Sequence, residues 1–180
     1  MSIYFGADST VLHSGDVGGG KILQVQSTIK RNTVGYVLNS SGTSMSYSSQ
    51  IMSVSITPSN SNNKILITGF LTASCNNTDR LHIRLLKNGS ELGNASATAE
   101  GSHRRRGHAS INIDSTRHQS TPINFLDTAG STSAITYGYN IAQGTGGQAS
   151  VFINRQGNGF SDEANRFLST SVITAMEIEV

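Results

Sequence analysis

Arg80–Gly89, with the sequence RLHIRLLKNG, is the stretch that decides the fold class of this chain. Polar and apolar side chains alternate through it, and the apolar ones that share a face are Leu81, Ile83 and Leu85. Such period-two alternation is typical of a strand with one buried face. Asn88-Gly89 follows directly, and this dipeptide is the strongest short-range signal for a tight turn between antiparallel strands. The stretch therefore predicts a β-hairpin, with its return strand at about Glu91–Ala99.

The same pattern recurs on both sides of this hairpin. Further strands are predicted at Lys21–Lys30, Gln50–Thr57, Lys64–Cys75, His108–Asp114, Pro122–Asp127, Ala134–Ala142, Ala149–Arg155 and Ser169–Val180. Segments rich in Ser, Asn and Gly separate them, and we expect loops at Asn32–Ser49 and Gly157–Arg166. No amphipathic helix is evident. Roughly nine or ten strands at this spacing predict an all-β sandwich or barrel.

The amino-acid composition is that of a turn-rich β protein. Charged residues make up 13% of the 180 residues, about half of the usual share of roughly 25%. Serine, threonine and asparagine fill the gap, and the chain has 19 glycines and 2 prolines. The length fits one domain, which we place at residues 21–180.

Residues 1–20 break the strand pattern and end in three glycines, Gly18 to Gly20. Such a glycine run is a flexible hinge. We interpret this segment as an N-terminal arm, with an attachment function in which Ile3, Tyr4 and Phe5 are the anchors. The alternative interpretation is a frayed terminus.

Several classes of protein are excluded by the sequence. No window approaches the roughly 18 consecutive apolar residues of a membrane-spanning helix, so no membrane insertion is expected. The first residues lack the basic and apolar regions of a secretory signal. The net charge of +2 comes from Arg104–Arg106, without which 10 cations would face 11 acids, so no nucleic-acid partner is expected. Cys75, the single cysteine, is expected to be a small buried residue.

No catalytic residue, metal ligand or cofactor site is predicted. The chain lacks a Gly-x-Ser-x-Gly elbow, and the glycines of Gly18–Gly20 lead into a strand, whereas a phosphate-binding loop opens a helix. His103 and His108 are separated by three arginines, whose charges would repel a cation. A metal on a subunit symmetry axis is left open. A depolymerase of surface polysaccharide would need paired carboxylates, and Asp162-Glu163 is the only obvious pair.

One concentrated charge feature remains. It comprises His103, Arg104, Arg105, Arg106 and His108, with Arg117 and His118 further along the chain. Because guanidinium groups match planar anions, these residues are candidates for contact with an acidic glycan or with the carboxylates of a partner. The alternative is a solvated loop tip.

The order of short motifs along the chain resembles a group of small structural proteins of marine and cyanobacterial tailed bacteriophages. The motifs are Gly20–Val25, Ser55–Ser59, Lys64–Ile67, Arg84–Gly89, Phe125–Asp127, Tyr137, Val151–Arg155 and Ile173–Glu179. This resemblance implies a non-enzymatic fibre, spike or decoration protein on the exterior of the virion. It also implies a trimeric jelly roll similar to the C1q and tumour-necrosis-factor heads.

We therefore predict an antiparallel jelly-roll sandwich in which Lys21–Lys30 pairs with Ser169–Val180. A homotrimer is expected from this resemblance, together with the observation that several strands carry more apolar surface than one core requires. Tyr137 and Tyr139 are candidates for the trimer interface, with a core position as the alternative. The expected partners are other copies, capsid or tail proteins held by the arm, and host-surface glycans. A tail-fibre head and a capsid cement protein both stay open.

Overall fold

The computed structural model describes residues 3–4, 11–12, 20–41, 44–76, 79–92, 107–115, 117–143, 147–157 and 168–180. These residues form fourteen strands and no helix, and every strand pair is antiparallel. The strands are β1 (Ile3–Tyr4), β2 (Val11–Leu12), β3 (Ile22–Lys30), β4 (Val34–Ser41), β5 (Ser44–Met45), β6 (Met52–Ile56), β7 (Lys64–Cys75), β8 (Asp79–Lys87), β9 (Ser90–Glu91), β10 (Ala109–Ile113), β11 (Gln119–Thr128), β12 (Ile135–Gln143), β13 (Gly147–Ile153) and β14 (Ser171–Ile178).

Two sheets pack face to face. In the small sheet the strand order is β10-β8-β12-β6, with β9 beside β8. In the large sheet, β7 has β11 along one edge, while its other edge pairs first with β14 and then with β13. Strand β3 lies outside β14, and β4 and β5 lie outside β13. The predicted all-β jelly-roll sandwich is confirmed.

The hairpin and the terminal pairing follow the predictions. Asn88 and Gly89 both have positive φ values, of 51° and 79°, as a two-residue turn between twisted strands requires. The turn joins β8 to β9 through the pair Lys87 and Ser90. Strand β3 pairs with β14 from Ile29 opposite Val172 onward, so the first long strand and the last strand are neighbours.

The core lies between the sheets and is made of side chains that alternate along each strand. Leu81, Ile83 and Leu85 of β8 are completely buried, as their alternation predicts. They meet buried side chains of the large sheet, including Ile65 and Ile67 of β7. Cys75 is also buried, as expected, and its thiol donates to the Ile113 carbonyl at 3.6 Å.

The prediction of a loop throughout Asn32–Ser49 is wrong. Strand β4 occupies eight residues of this segment and pairs with β13, with Leu38 opposite Ala149. Its Gly, Asn and Ser residues gave a loop-like composition, but the partner strand supplies the hydrogen bonds that hold it extended. Residues beyond Leu92 of the predicted return strand, and residues beyond Gly157 of the second predicted loop, lie outside the described part.

Within the described ranges, no helix has the length and apolar character needed to cross a membrane.

Candidate assembly surface

Four strands of the large sheet, β3, β14, β7 and β11, turn one face away from the core. The register across these strands places their outward side chains in rows. One row is apolar throughout and consists of Val25, Met176, Leu66 and Leu126. Its outermost members, Val25 and Leu126, are 52% and 56% exposed. We name the outward side of these four strands the apolar face.

A second apolar row crosses the same four strands four residues further along. It consists of Ile29, Val172, Phe70 and Pro122. Ile29 is 46% exposed, although it belongs to a strand that is hydrogen-bonded along its length to β14. Each row is a continuous line of apolar side chains across four strands, whereas isolated surface hydrophobics are ordinary in soluble proteins.

Between the two apolar rows lies a row of small polar side chains that bond to one another. The hydroxyls of Ser27 and Thr174 are 2.9 Å apart, and the Thr68 hydroxyl donates to Asn124 Oδ1 at 2.8 Å. Because these groups already have partners within the face, covering them leaves fewer buried polar groups without a partner. The polar row is therefore compatible with burial against another protein surface.

The apolar face is nearly free of charge. Lys64 is its one ionisable side chain, and its Nζ donates to the Thr128 hydroxyl at 2.8 Å. With strands about 4.8 Å apart and about 3.3 Å per residue, the face covers roughly 400–500 Å² in plane. This area is that of the largest apolar patch on a typical monomer, and such patches are often functional. Paired with an equal area of a partner surface, the face reaches the roughly 1,000 Å² of a specific interface, because side-chain relief adds to the planar area.

The outer side of the small sheet has a different chemistry. Arg84 of β8 donates through Nε to Asn140 Oδ1 at 3.1 Å and pairs with Glu91 Oε2 at 3.0 Å. Its guanidinium carbon also lies 3.6 Å from the centre of the Tyr47 ring. The polar groups on this side are thus engaged with one another. The two outer sides of the sandwich differ, and the large sheet presents the apolar one.

Tyr137 and Tyr139 are core residues, which corrects their assignment to a trimer interface. Both side chains are completely buried between the two sheets, because strand β12 turns them inward together with Ile135 and Ile141. The Tyr137 hydroxyl donates to Asp127 Oδ2 at 2.7 Å, and the Tyr139 hydroxyl donates to the Val172 carbonyl at 3.4 Å. Burial raises the pKa of both phenols, and for Tyr137 the carboxylate of Asp127 raises the pKa further.

His108 is a structural residue and does not lie on an open anion-binding surface. Its Nδ1 accepts from the Leu85 N–H at 3.0 Å, so the ring proton is on Nε2, which donates to the Leu92 carbonyl at 2.7 Å. The ring also meets Phe125 edge-on, at 5.4 Å between centroids. Burial lowers the pKa of His108. These contacts engage both ring nitrogens, which corrects the prediction for this residue.

The other members of the charge feature are distributed differently. His103 and Arg104–Arg106 lie outside the described residues. Arg117 is exposed, and its main-chain N–H donates to Asp114 Oδ1 at 2.7 Å. His118 is partly buried, and its Nδ1 has no hydrogen-bond partner in the part of the chain that the structure describes. An anionic partner at Arg104–Arg106 and Arg117 stays a prediction.

The predicted arm contains a short ladder. Ile3 pairs with Leu12, and Tyr4 pairs with Val11, so β1 and β2 form a two-stranded sheet of their own. Phe5 lies outside the described residues. The attachment function of the arm and its three anchor residues stays a prediction.

The described ranges contain no group of three or more His, Cys, Asp or Glu side chains that could hold a metal ion. Asp162 and Glu163 lie outside these ranges. Glu177 is a buried carboxylate, but four hydrogen bonds from Gln24, Ser59 and Asn63 occupy both of its oxygens.

The sequence shows the apolar side chains of this face, but it does not show that they point away from the core. Leu23, Val25 and Ile29 share a face by alternation, as do Val172, Met176 and Ile178. The inward side of β14 carries Ile173 and Ala175, so this strand is apolar on both faces. When a strand is apolar on both faces, one face packs on the core and the other is expected to be covered by a further surface.

No family model matches this sequence, and no curated protein matches it. Solved structures to which the chain is similar include the Gx strain of infectious bursal disease virus, at 12% identity and a TM-score of 0.47. They also include the Gt strain, at 11% and 0.46, and particles of the D431N mutant VP2 protein of the same virus, at 12% and 0.38. The matches cover 98–100% of this chain but only 44–46% of those chains, so the chain spans less than half of their length.

Proposed function

We propose that this protein is a non-enzymatic structural component of a bacteriophage particle, and that it acts as a homotrimer with the apolar face buried between copies. The observation that carries the proposal is the double apolar row on β3, β14, β7 and β11. An uncharged surface of this extent is costly to leave in water, at about 25 cal/mol for each Å² of apolar area. A second copy of the chain is a partner that is present wherever the protein is made.

The trimeric state follows from the order of motifs that resembles the phage structural proteins. A threefold assembly needs a heterologous contact, in which two different patches meet and the rotation closes after three copies. The apolar face is then one of the two patches, and the second lies elsewhere on the neighbouring copy. A closed trimer also slows unfolding, which suits a particle that persists outside cells.

The decisive measurement is the mass of the particle in solution. Multi-angle light scattering at micromolar concentration is expected to give three times the chain mass of 19.0 kDa. A mass of 19.0 kDa at that concentration would contradict self-assembly. A stable dimer would contradict the threefold arrangement.

On the particle, the proposal includes two placements. As a spike or fibre head, the protein would be held by its N-terminal arm and would present loops to host-surface glycans. As a decoration or cement protein, it would sit on the capsid lattice, with the arm between capsomers. Electron microscopy of particles labelled with an antibody to this chain distinguishes the tail from the head surface. Labelling of neither would contradict the proposed virion location.

A further inference from the structure

Strand β7 pairs with two different strands along one edge of the large sheet. These two strands diverge at a point that we name the fork. Strand β14 pairs with β7 from Lys64 to Phe70, and β13 pairs with it from Ala73 to Cys75. Between these two ladders, Leu71 and Thr72 face the point where the two neighbouring strands diverge. A fork of this kind exposes main-chain groups, which must find partners other than a strand.

Buried side chains provide hydrogen-bond partners for the main-chain groups at the fork. The Thr72 N–H donates to Ser171 Oγ at 3.0 Å, and the Ser171 hydroxyl donates to Asn154 Oδ1 at 2.7 Å. The Asn154 amide nitrogen Nδ2 donates to the Lys30 carbonyl at 2.8 Å. Thr72, Asn154 and Ser171 are completely buried. This network ties β3, β7 and β14 together, so the base of the fork is rigid.

An open depression of about 500 Å³ lies over the fork, and we name it the fork pocket. It is lined by Arg31, Phe70, Thr72, Ser120, Leu168, Ser169 and Thr170. Its volume falls within the range of small-molecule sites, about 300–1,000 Å³. The rigid network lies behind this lining, which is the arrangement that holds a binding site in one geometry.

The lining combines three kinds of chemistry. Phe70 and Leu168 supply apolar surface, and Leu168 is 68% exposed. The Thr72 hydroxyl donates to the Thr170 carbonyl at 3.0 Å, so the Ser120 hydroxyl, 2.7 Å away, donates to Thr72 and keeps its own acceptor capacity. Ser169 Oγ is buried and has no hydrogen-bond partner among the described residues.

Arg31 supplies the charge. Its guanidinium makes no hydrogen bond or ion pair with any side chain in the described ranges, whereas Arg84 and Lys87 are both paired with acids. Arg31 is exposed and lies one residue beyond the end of β3. An unpaired guanidinium beside a pocket is available for a planar anion such as a carboxylate.

We propose that the fork pocket binds an acidic saccharide. The sugar carboxylate pairs with Arg31, the apolar C–H face of the ring packs on Leu168, and the sugar hydroxyls bond with Ser120 and Thr170. A purely apolar ligand would bury these polar groups without partners. A polyanion would bring more charge than one arginine can neutralise.

This inference deepens the proposed function and rests on it for its setting, since a surface protein of a virion meets saccharides on its host. It also relocates the glycan contact from the predicted Arg104–Arg106 loop to the end of the large sheet. Phe70 belongs to both the apolar face and the fork pocket, so the pocket lies at one end of the assembly surface.

The test compares two sugars that differ in one group. Glucuronic acid carries a carboxylate where glucose carries a hydroxymethyl group, and binding of each to the full-length protein is measured by ligand-observed NMR and calorimetry. Glucuronic acid is expected to bind more tightly than glucose. Arg31→Gln is expected to weaken its binding about tenfold or more, because a charge-assisted hydrogen bond is lost. Arg80→Gln removes an exposed arginine of β8, on the small sheet and outside the pocket, and is expected to leave binding unchanged.

Three results would overturn the proposal. They are equal binding of glucuronic acid and glucose, an equal effect of the two arginine variants, and acetate binding as tightly as glucuronic acid, which would indicate a site for any small anion. Light scattering on the same samples separates this inference from the proposed function. A trimer without glucuronic acid binding refutes the pocket alone, and a monomer with Arg31-dependent binding refutes the assembly alone.

Discussion

Glu177 and Ser59 are joined by two hydrogen bonds of 2.7 Å, because the main-chain N–H and the hydroxyl of Ser59 both donate to Glu177 Oε1. Asn63 Nδ2 donates to the same oxygen at 2.7 Å, and Gln24 Nε2 donates to Oε2 at 2.6 Å. The last strand, the first long strand and the connection between β6 and β7 therefore meet at one buried carboxylate. Burial alone raises the pKa of Glu177, but these hydrogen bonds outweigh it and lower the pKa to about 2.

Glu177 is expected to make the fold sensitive to acid. Its pKa is about 2 in the folded chain and 4.5 in the reference state, so the carboxylate stabilises the fold above pH 4.5. That contribution is lost as the pH falls from 4.5 towards 2. Glu177→Gln replaces one acceptor with a donor that faces other donors, and it is expected to cost about 1–3 kcal/mol at pH 7. Urea unfolding at pH 7 and pH 3 measures both effects.

The matched control for Glu177 is Glu179→Gln, two residues along the same segment. Glu179 is exposed, so its replacement is expected to change the free energy of unfolding by less than about 0.5 kcal/mol. Equal losses in the two variants would show that the hydrogen bonds at Glu177 are not the source of the effect.

His108 is expected to add a second loss of stability at milder pH. Protonation of Nδ1 breaks the bond from the Leu85 N–H, and burial lowers the pKa of His108 below 6.5. The nearby Glu91 charge raises this pKa and the Arg84 charge lowers it, but burial is the largest effect. Since the unfolded chain takes up the proton first, stability is complete above pH 6.5 and declines as the pH falls through the lower folded value.

The measurement is thermal unfolding of His108→Ala between pH 7.5 and pH 5. The variant is expected to lose about 1–3 kcal/mol at pH 7.5, because the Leu85 N–H is left without its acceptor. Its stability is also expected to vary less with pH than that of the original protein. An unchanged slope in His108→Ala would refute the assignment.

Tyr137 and Tyr139 allow the contribution of a buried tyrosine hydroxyl to the free energy of unfolding to be compared at two positions. Tyr137→Phe removes a 2.7 Å bond to a carboxylate that is also paired with Lys87, and it is expected to cost about 1.5–3 kcal/mol. Tyr139→Phe removes a long bond of 3.4 Å and is expected to cost less than about 1 kcal/mol. Chemical denaturation measures both. A larger loss for Tyr139→Phe would contradict these roles, and a change of oligomeric state in either variant would contradict their core position.

The sequence was sufficient to predict strands whose two faces differ in polarity. Strand β8 is the clearest case, because Arg80, His82 and Arg84 alternate with the three core residues of the same strand. Strand β4 was missed although Val34, Tyr36 and Leu38 alternate, because Gly, Asn and Ser residues surround them and the extended form depends on pairing with β13. Pairing between distant segments is a property of the whole fold and leaves no mark in local composition.

The candidate site was harder to predict than the fold, for a physical reason. Val25 and Met176 have the same apolar character as core residues, and hydrophobicity indicates only that a side chain avoids water. It does not say whether the covering surface belongs to the same chain. Arg31 and Phe70 are far apart in sequence and belong to no motif, so only the fork in the large sheet brings them to one pocket.

Leu126 provides the sharpest test of the apolar face. It is 56% exposed in the isolated chain and ends the row that begins at Val25. Leu126→Lys is therefore expected to leave the fold intact, with a change in the free energy of unfolding of less than about 0.5 kcal/mol at a concentration where the chain is monomeric. In the assembly the same lysine would bury an unpaired charge, so light scattering is expected to show loss of the trimer at micromolar concentration. Val37→Lys is the matched control, because Val37 is 62% exposed but lies on β4, outside the four strands of the face. A trimer that survives Leu126→Lys, or one that is lost equally in both variants, would show that the copies meet through another surface.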